Sequence, residues 1–116
     1  MTIELSRAQA LKLLQDFAHA IVIDDEPDLS PRQLSVLLTV YLDPPPHTVR
    51  GLAAKLGVTK PVITRALDTM GRLELLARRR DEADRRSVVV QRTQKGQRTV
   101  ERLADALAAA AKGLPI

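Results

Sequence analysis

Apolar side chains recur at helical spacing over most of the chain, and polar or proline-rich stretches divide them into segments. Ser6 precedes a first helix that we predict to run to about Ile23, because leucine, alanine and isoleucine recur there every three or four residues. Leu13, Phe17 and Val22 widen this apolar stripe beyond one face of the helix. A helix that is apolar on two sides needs two surfaces to pack against.

A second amphipathic segment begins at Ser30 and ends before three consecutive prolines. Ser30 is a good N-cap, Pro31 suits the first helical position, and Gln33 is placed to complete a capping box. Apolar residues continue at helical spacing until the prolines of residues 44–46, which end the helix. The sequence therefore predicts a second helix of about three turns.

Residues 48–70, TVRGLAAKLGVTKPVITRALDTM, have the pattern of two short helices joined by a glycine turn. Thr48 is the expected cap of the first helix and Thr59 of the second. Gly57 allows the left-handed backbone of the turn, and Val58 is expected to fill the corner between the helices. The spacing predicts a helix-turn-helix, although ordinary helical bundles also contain such helix pairs.

The second helix of this pair has an outer face that carries basic and hydroxyl groups. The apolar positions expected to face inward are Ile63, Ala66, Leu67 and Met70. The helical period places outward Lys60, Pro61, Thr64, Arg65 and Asp68. Together with Thr59, the outward groups suit phosphates and base edges in a DNA major groove, where arginine can bridge two acceptors of guanine. A solvated helix face would have a similar composition.

The next residues predict a β-hairpin rich in arginine. The expected strands are Leu76–Arg80 and Ser87–Val90, and the polar run Asp81–Asp84 is the expected loop. A last helix is predicted after the second strand, through a run of alanines to a closing Gly-Leu-Pro.

A helix-turn-helix followed by such a hairpin has the arrangement of a winged helix, in which the hairpin, or wing, reaches the DNA backbone or the minor groove. We expect Arg80, Arg85 and Arg86 to contact DNA. Asp81 or Asp84 is expected to accept hydrogen bonds from Arg85 or Arg86 and so to order the loop before binding.

The predicted fold is mainly α with a small β-hairpin, a single winged helix-turn-helix domain over residues 1–116. Residues 29–96 are expected to form the DNA-binding core, with the wing at about 76–92. Residues 1–28 and 97–116 are expected to form flanking dimerisation helices, because they carry more apolar surface than one small core can bury.

The composition excludes several classes of function. The chain has no cysteine, which excludes disulfides, thiolate metal sites and thiol redox sensing. Its two histidines lie far apart without metal-ligand spacing, so we expect no metal and no cofactor. No apolar run is long enough for a membrane span and the N-terminus has no signal pattern, so we expect a soluble, cytoplasmic protein. No nucleophile–base pair, phosphate loop or carboxylate pair indicates an enzyme.

Charge is distributed unevenly along the chain. Residues 1–43 have three basic and seven acidic side chains, whereas residues 44–116 have fifteen basic and seven acidic ones. This asymmetry is expected where one face meets a polyanion. Double-stranded DNA is the partner we expect; the alternative is a winged-helix interaction module whose basic face binds an acidic protein.

The sequence resembles the MarR family of bacterial winged-helix transcription regulators. The matching segments are residues 52–70, residues 75–96 and, more loosely, residues 29–40. The Asp-x-x-Asp-x-Arg pattern of the wing is the most specific part of the resemblance. The resemblance implies a homodimer, formed by the terminal helices, that binds a pseudo-palindromic operator, often as a repressor released by a small aromatic ligand.

The sequence departs from the family pattern in three respects. Ala83 stands between the wing aspartates where the family usually has an arginine, and we assign the minor-groove contact to Arg85 instead. Arg86 matches the structural arginine of the family, so it is expected to pair with a wing aspartate and to contact a phosphate. Arg92 stands where the family usually has an apolar residue, and the C-terminal helical region is shorter than is typical.

Overall fold

The computed structural model describes residues 2–115, and in that range the chain forms five helices and a three-stranded sheet. In chain order the elements are α1 (Arg7–Ile23), α2 (Pro31–Leu42), β1 (His47–Thr48), α3 (Val49–Leu56), α4 (Lys60–Arg72), β2 (Leu76–Arg80), β3 (Val88–Arg92) and α5 (Gln94–Lys112). The mainly helical fold with one hairpin confirms the fold class predicted from the sequence.

Side-chain caps fix the N-termini of the first three helices. The hydroxyls of Ser6 and Ser30 each accept a hydrogen bond of 3.1 Å from a backbone N–H of their helix. The side-chain oxygens of Gln9 and Gln33 each accept one of 2.9 Å from the backbone N–H of the capping serine. Thr48 caps α3 with a single bond of 2.9 Å. These bonds satisfy donors that a helix otherwise leaves unpaired, and they confirm the predicted starts of α1, α2 and α3.

The core is aliphatic, and α2, α3, α4 and the sheet contribute to it. Its buried members are Val36, Leu37, Val40, Tyr41, Leu52, Ala53, Ile63, Ala66, Leu67, Met70, Leu75, Leu76 and Val90. All four residues of α4 that were predicted to face inward are in this set. The opposite face of α4 is therefore fixed toward solvent by close packing on the buried side.

The turn between α3 and α4 has the predicted left-handed glycine. Gly57 has a φ of 69°, and Val58 next to it is half-buried against the core and donates a backbone hydrogen bond of 3.0 Å to Ala53. Thr59 occupies the N-cap position of α4, but its hydroxyl makes no capping hydrogen bond, so the predicted cap is wrong in that respect.

The sheet is antiparallel, with strands in the order β1, β3, β2. Strand β2 has the predicted bounds, whereas β3 begins at Val88 and extends two residues beyond the predicted end to Arg92. Strand β1 was not predicted, because two residues are too few to give an alternating pattern. Its pairing of His47 with Val90 joins the start of α3 to the hairpin.

The charged Arg92 can end β3 because its guanidinium group is bonded to the C-terminal end of α2. Its Nε donates a hydrogen bond of 2.9 Å to the carbonyl of Val40, and its Nη2 donates one of 3.3 Å to the carbonyl of Asp43. These carbonyls lie at the C-terminal end of α2, where a helix lacks internal donors and its dipole favours a cation. The guanidinium also lies 5.6 Å from the ring centroid of Tyr41. The wing is thereby anchored to α2 at its base.

The described chain separates into two compact units, with one division inside α5. The larger unit spans Leu29–Val100 and holds α2, α3, α4 and the sheet. The smaller unit comprises the residues up to Asp28 and those from Glu101 onward. None of the helices in the described part of the chain has the length and apolar character of a membrane span.

The smaller unit contains little buried surface of its own. No described side chain of α1 is buried, and Leu14 and Ile23 remain 62% and 71% exposed. The unit is held in part by an ion pair of 2.8 Å between Arg102 and Glu26. An amphipathic helix that leaves such apolar side chains exposed has an unsatisfied packing surface.

Candidate nucleic-acid interface

The outward face of α4 presents the residues that the sequence placed there. Lys60, Pro61, Thr64 and Arg65 are exposed, and so is Thr59 at the N-cap. The hydroxyl of Thr59 is not used to cap the helix. The N-terminal part of α4 therefore offers two cationic groups and two hydroxyls beside the positive end of the helix dipole.

Asp68, the acidic residue on this face, is paired with the base of the wing. Its Oδ1 accepts a hydrogen bond of 2.7 Å from Nη2 of Arg78 on β2. Both side chains are partly solvent-exposed, so the pair contributes at most about 1 kcal/mol to stability. Its geometric effect is larger, because it links α4 to the wing. Sequence reasoning missed this pair, since the two residues lie on different elements.

The two aspartates of the wing order its loop mainly through backbone groups. Asp81 accepts a hydrogen bond of 2.9 Å from the N–H of Ala83, and Asp84 accepts one of 3.1 Å from the N–H of Arg86. The second oxygen of Asp84 lies 3.3 Å from the hydroxyl of Ser87. These are turns of the kind that aspartate favours. The expected arginine partners contribute less than the sequence suggested.

The wing arginines differ in their surroundings. Arg80 donates a hydrogen bond of 2.8 Å from Nη1 to the carbonyl of Arg85, across the loop. Arg86 is 93% exposed and its Nε lies 3.6 Å from Asp84, which is a weak ion pair. Arg85 is exposed, and its side chain has no bonding partner among residues 2–115. Only Arg80 of the three is thus engaged with the loop backbone, and its expected contact with DNA stays a prediction.

The basic surface extends to two arginines that the sequence reasoning did not single out. Arg50, in the first turn of α3, lines a surface notch of about 190 Å³ together with Lys60 and Arg86. Arg32 lies with Arg65 beside a hollow of about 430 Å³ between the start of α2 and α4. A helical projection of α3 places Arg50 roughly opposite the buried Leu52, two positions further on, but an exposed position alone does not distinguish it from other surface arginines.

His47 lies behind the wing and is almost completely buried. Its Nε2 is 3.1 Å from the carbonyl of Asp43. Burial lowers the pKa of His47 from its ordinary value, and the nearby charge of Arg92 lowers it further, while a backbone hydrogen bond at the end of α2 acts in the opposite direction. Within residues 2–115 no group of three His, Cys, Asp or Glu side chains is placed to hold a metal ion.

These groups are suited to noncovalent recognition of a polyanion. The exposed cations of α4 and of the wing belong to the same compact unit and are positioned by packing, by the Asp68–Arg78 pair and by the loop hydrogen bonds. Guanidinium and hydroxyl groups held in this way can donate to phosphate oxygens and to the acceptors of base edges.

The chain is similar to proteins of one regulator family. A family model described as MarR family matches residues 28–87. The solved structure of the transcriptional repressor CouR, bound to a 23-mer DNA duplex, is 32% identical, with 91% of this chain and 71% of that chain covered and a TM-score of 0.72. A comparison with curated proteins gives no match.

Two further solved structures have the same fold. The transcriptional regulator Tm0710 from Thermotoga maritima is 25% identical, with 89% of this chain and 65% of that chain covered and a TM-score of 0.64. The YusO protein from Bacillus subtilis is 21% identical, with 89% and 70% covered and a TM-score of 0.74. The last similarity concerns the fold alone.

Proposed function

We propose, from the premise that the chain belongs to the MarR family, that this DNA-binding transcription regulator is a dimeric repressor of a pseudo-palindromic operator. The observation that carries the proposal is the exposed basic face of α4 beside an arginine-rich wing. The similarity to a repressor bound to duplex DNA supports the same reading. DNA is favoured over an acidic protein partner for this reason.

The proposed contacts follow from the positions of the side chains. In the major groove, Arg65 reads a base edge, and Thr59, Lys60, Pro61 and Thr64 approach phosphates and neighbouring bases. The wing contacts the backbone and the minor groove, with Arg85 as the inserted arginine and Arg80 and Arg86 closer to phosphates. Asp81 and Asp84 act on DNA only through the shape of the loop.

We further propose that the smaller unit forms the dimer and that the larger unit binds DNA. The support is the apolar surface of the smaller unit: α1 buries none of its described side chains, and Leu107 on α5 is 44% exposed. A second copy of the same unit would cover this surface about a two-fold axis. The two copies of α4 would then meet half-sites about one DNA turn apart.

Selection of genomic fragments by the purified protein, followed by footprinting, tests this function. We expect a protected site with two related halves and a preference for it over random duplex of about a thousandfold or more. Binding should weaken steeply with salt. If the protein showed no preference among duplexes and bound an acidic protein instead, the interaction-module alternative would hold. Light scattering tests the dimer, which a strictly monomeric protein at DNA-binding concentrations would contradict.

Family membership also bears on the mode of action of the protein. A regulator of this family acts by binding, so we propose that the protein is not an enzyme and works in the cytoplasm, where its DNA lies. A small-molecule effector is proposed on the family resemblance. Thermal unfolding with candidate aromatic acids tests it, because a ligand that binds the folded protein raises the midpoint.

A further inference from the structure

A notch with three cationic side chains lies between α3, α4 and the wing. The three are Arg50 on α3, Lys60 at the start of α4 and Arg86 beside β3, and we call their site the three-cation notch. Its volume is about 190 Å³. The remaining lining residues are Thr48, Val49, Thr64, Ser87 and Val88.

The chemistry of the three-cation notch favours a phosphate group. Three cations of separate elements line the notch together with the hydroxyls of Thr48, Thr64 and Ser87, and none of the described lining residues is acidic. The Ser87 hydroxyl already donates to Asp84, so the hydroxyls of Thr48 and Thr64 are the ones that can donate to a ligand. Like charges placed together are unfavourable unless an anion joins them. A tetrahedral phosphate accepts several charge-assisted hydrogen bonds at once, and it satisfies guanidinium and hydroxyl donors together.

The cations of the notch are largely uncommitted within the protein. Arg50 and Lys60 are exposed and have no hydrogen-bond or ion-pair partner within residues 2–115. Arg86 has its ion pair with Asp84 on the Nε edge, at 3.6 Å, and its terminal nitrogens make no bond to the described residues. Arg78 and Arg80, by contrast, already use their guanidinium groups in bonds of 2.7 and 2.8 Å.

We propose that the three-cation notch receives one phosphate of the DNA backbone in each half-site and that Arg50 is a DNA contact. The inference rests on the proposed function. A backbone phosphate is favoured over a free anion because Lys60 belongs to the exposed face of α4 and Arg86 to the wing, and a strand that joins these two contacts would cross the notch. Phosphate contacts of this kind fix the register of a protein on its duplex without reading sequence.

The test compares Arg50→Gln with Arg98→Gln in the full chain. Both changes remove one exposed arginine charge from the larger unit, but Arg98 lies on α5 and does not line the notch. Affinity for the selected operator and for random duplex is measured over a range of salt. Thermal unfolding of each variant checks that it folds, and Arg50→Lys tests whether a point charge suffices.

We expect Arg50→Gln to lower the salt slope by about one per subunit on both duplexes, with no such change for Arg98→Gln. If the two affinities are equal near 1 M salt and their salt slopes differ by about one, the variant binds about tenfold more weakly per subunit near 0.1 M. Arg50→Lys should retain most of the slope. Because the contact carries no sequence information, the preference for operator over random duplex should stay nearly constant.

A second set of operators identifies the phosphate itself. In each duplex one backbone phosphate is replaced by a neutral methylphosphonate. Wild-type protein should lose affinity at one position per half-site where Arg50→Gln loses none. This non-additivity would show that the two groups meet.

Several outcomes overturn the inference. Binding by Arg50→Gln that equals binding by Arg98→Gln, or equal methylphosphonate losses in wild type and Arg50→Gln at every position, would leave Arg50 as a solvated charge. Inorganic phosphate that binds to the protein only when Arg50 is present, and that does so without weakening DNA binding more than chloride of equal ionic strength, would assign the notch to a free anion. Wild-type protein without any operator preference would instead refute the proposed function, and the inference with it.

Discussion

Arg80 donates a hydrogen bond of 2.8 Å to the backbone carbonyl of Arg85, so that one wing arginine holds the peptide group of another. The side chain of Arg85 is left exposed by this arrangement. Two residues of equal charge therefore differ in role. Arg80 orders the loop, and Arg85 is free to bind.

Replacing each arginine separately should separate these roles. Arg85→Ala should change the free energy of unfolding by no more than about 0.5 kcal/mol, as surface substitutions usually do, while weakening binding to the operator. Arg80→Ala should in addition accelerate hydrogen exchange at the amides of Arg86 and Ser87, because the loop loses a restraint. Equal exchange rates in the two variants would contradict the assignment.

Asp84→Ala tests whether loop order outweighs charge. The change removes a carboxylate that accepts hydrogen bonds from Arg86 and Ser87. We expect weaker binding to the operator, with binding to random duplex unchanged or stronger. Glu82→Ala is the matched control, since it removes the same charge from an exposed loop residue that forms no hydrogen bond or ion pair with the other described residues. Tighter operator binding by Asp84→Ala would show that Asp84 does not order the loop for binding and that the loop is only a solvated cluster of charges.

Replacement of Arg65 and replacement of Lys60 should reduce DNA affinity in different ways. If Arg65 reads a guanine, Arg65→Ala should cost about 1–3 kcal/mol on the operator and relax specificity at one position per half-site. Lys60→Ala should weaken binding to all sequences and lower the salt slope by about one per subunit. Titration of both variants against operators with single base changes provides the measurement. If Arg65→Ala lost the same binding free energy on the operator and on random duplex, Arg65 would contact only the DNA backbone.

Gly96 is a position where the fold tolerates no side chain. A Cβ at this residue would overlap the carbonyl oxygen of Leu75 and the hydroxyl of Tyr41. We expect Gly96→Ala to reduce the free energy of unfolding by about 1–3 kcal/mol, as overpacking does. Gly71 on α4 has open space around it, so Gly71→Ala should be stabilising, by up to about 1 kcal/mol. Urea denaturation of both variants would show opposite shifts.

His47 should make stability depend on pH. Its pKa in the folded protein lies below the ordinary 6.5, so as the pH falls the unfolded chain takes up a proton first. The contribution of His47 to stability is therefore complete above about pH 6.5 and is lost as the pH falls toward the folded pKa. Between about pH 5 and about pH 8 the free energy of unfolding should rise with pH in the wild-type protein. The rise should be smaller in His47→Gln.

The parts of the fold that the sequence predicted are those governed by local signals. The cap at Ser6, the capping box at Ser30, the left-handed Gly57 and the helical period of α4 each act over a few residues, and each was predicted correctly. The outward face of α4 followed from its buried side, so the exposed candidates were also found.

Apart from the cap at Thr59, which is a local interaction, the misses come from contacts between distant residues. Strand β1 has two residues and exists only because β3 pairs with it. The bond from Arg92 to Val40 and the pair between Arg78 and Asp68 join separate elements, so no local pattern indicates them. Arg50 was missed because its significance depends on which cations the fold places beside it.

Tyr41 is an optical probe of its own surroundings. The chain has one tyrosine and no tryptophan, so its near-ultraviolet absorbance and fluorescence come almost entirely from a single ring. That ring is buried, its hydroxyl is 2.8 Å from the carbonyl of Thr93, and the guanidinium of Arg92 lies over it. A change in tyrosine emission therefore reports on the joint between α2 and the base of the wing. The protein can be followed there without a label, while DNA, which absorbs in the same region, has to be subtracted or detected by a dye at longer wavelength.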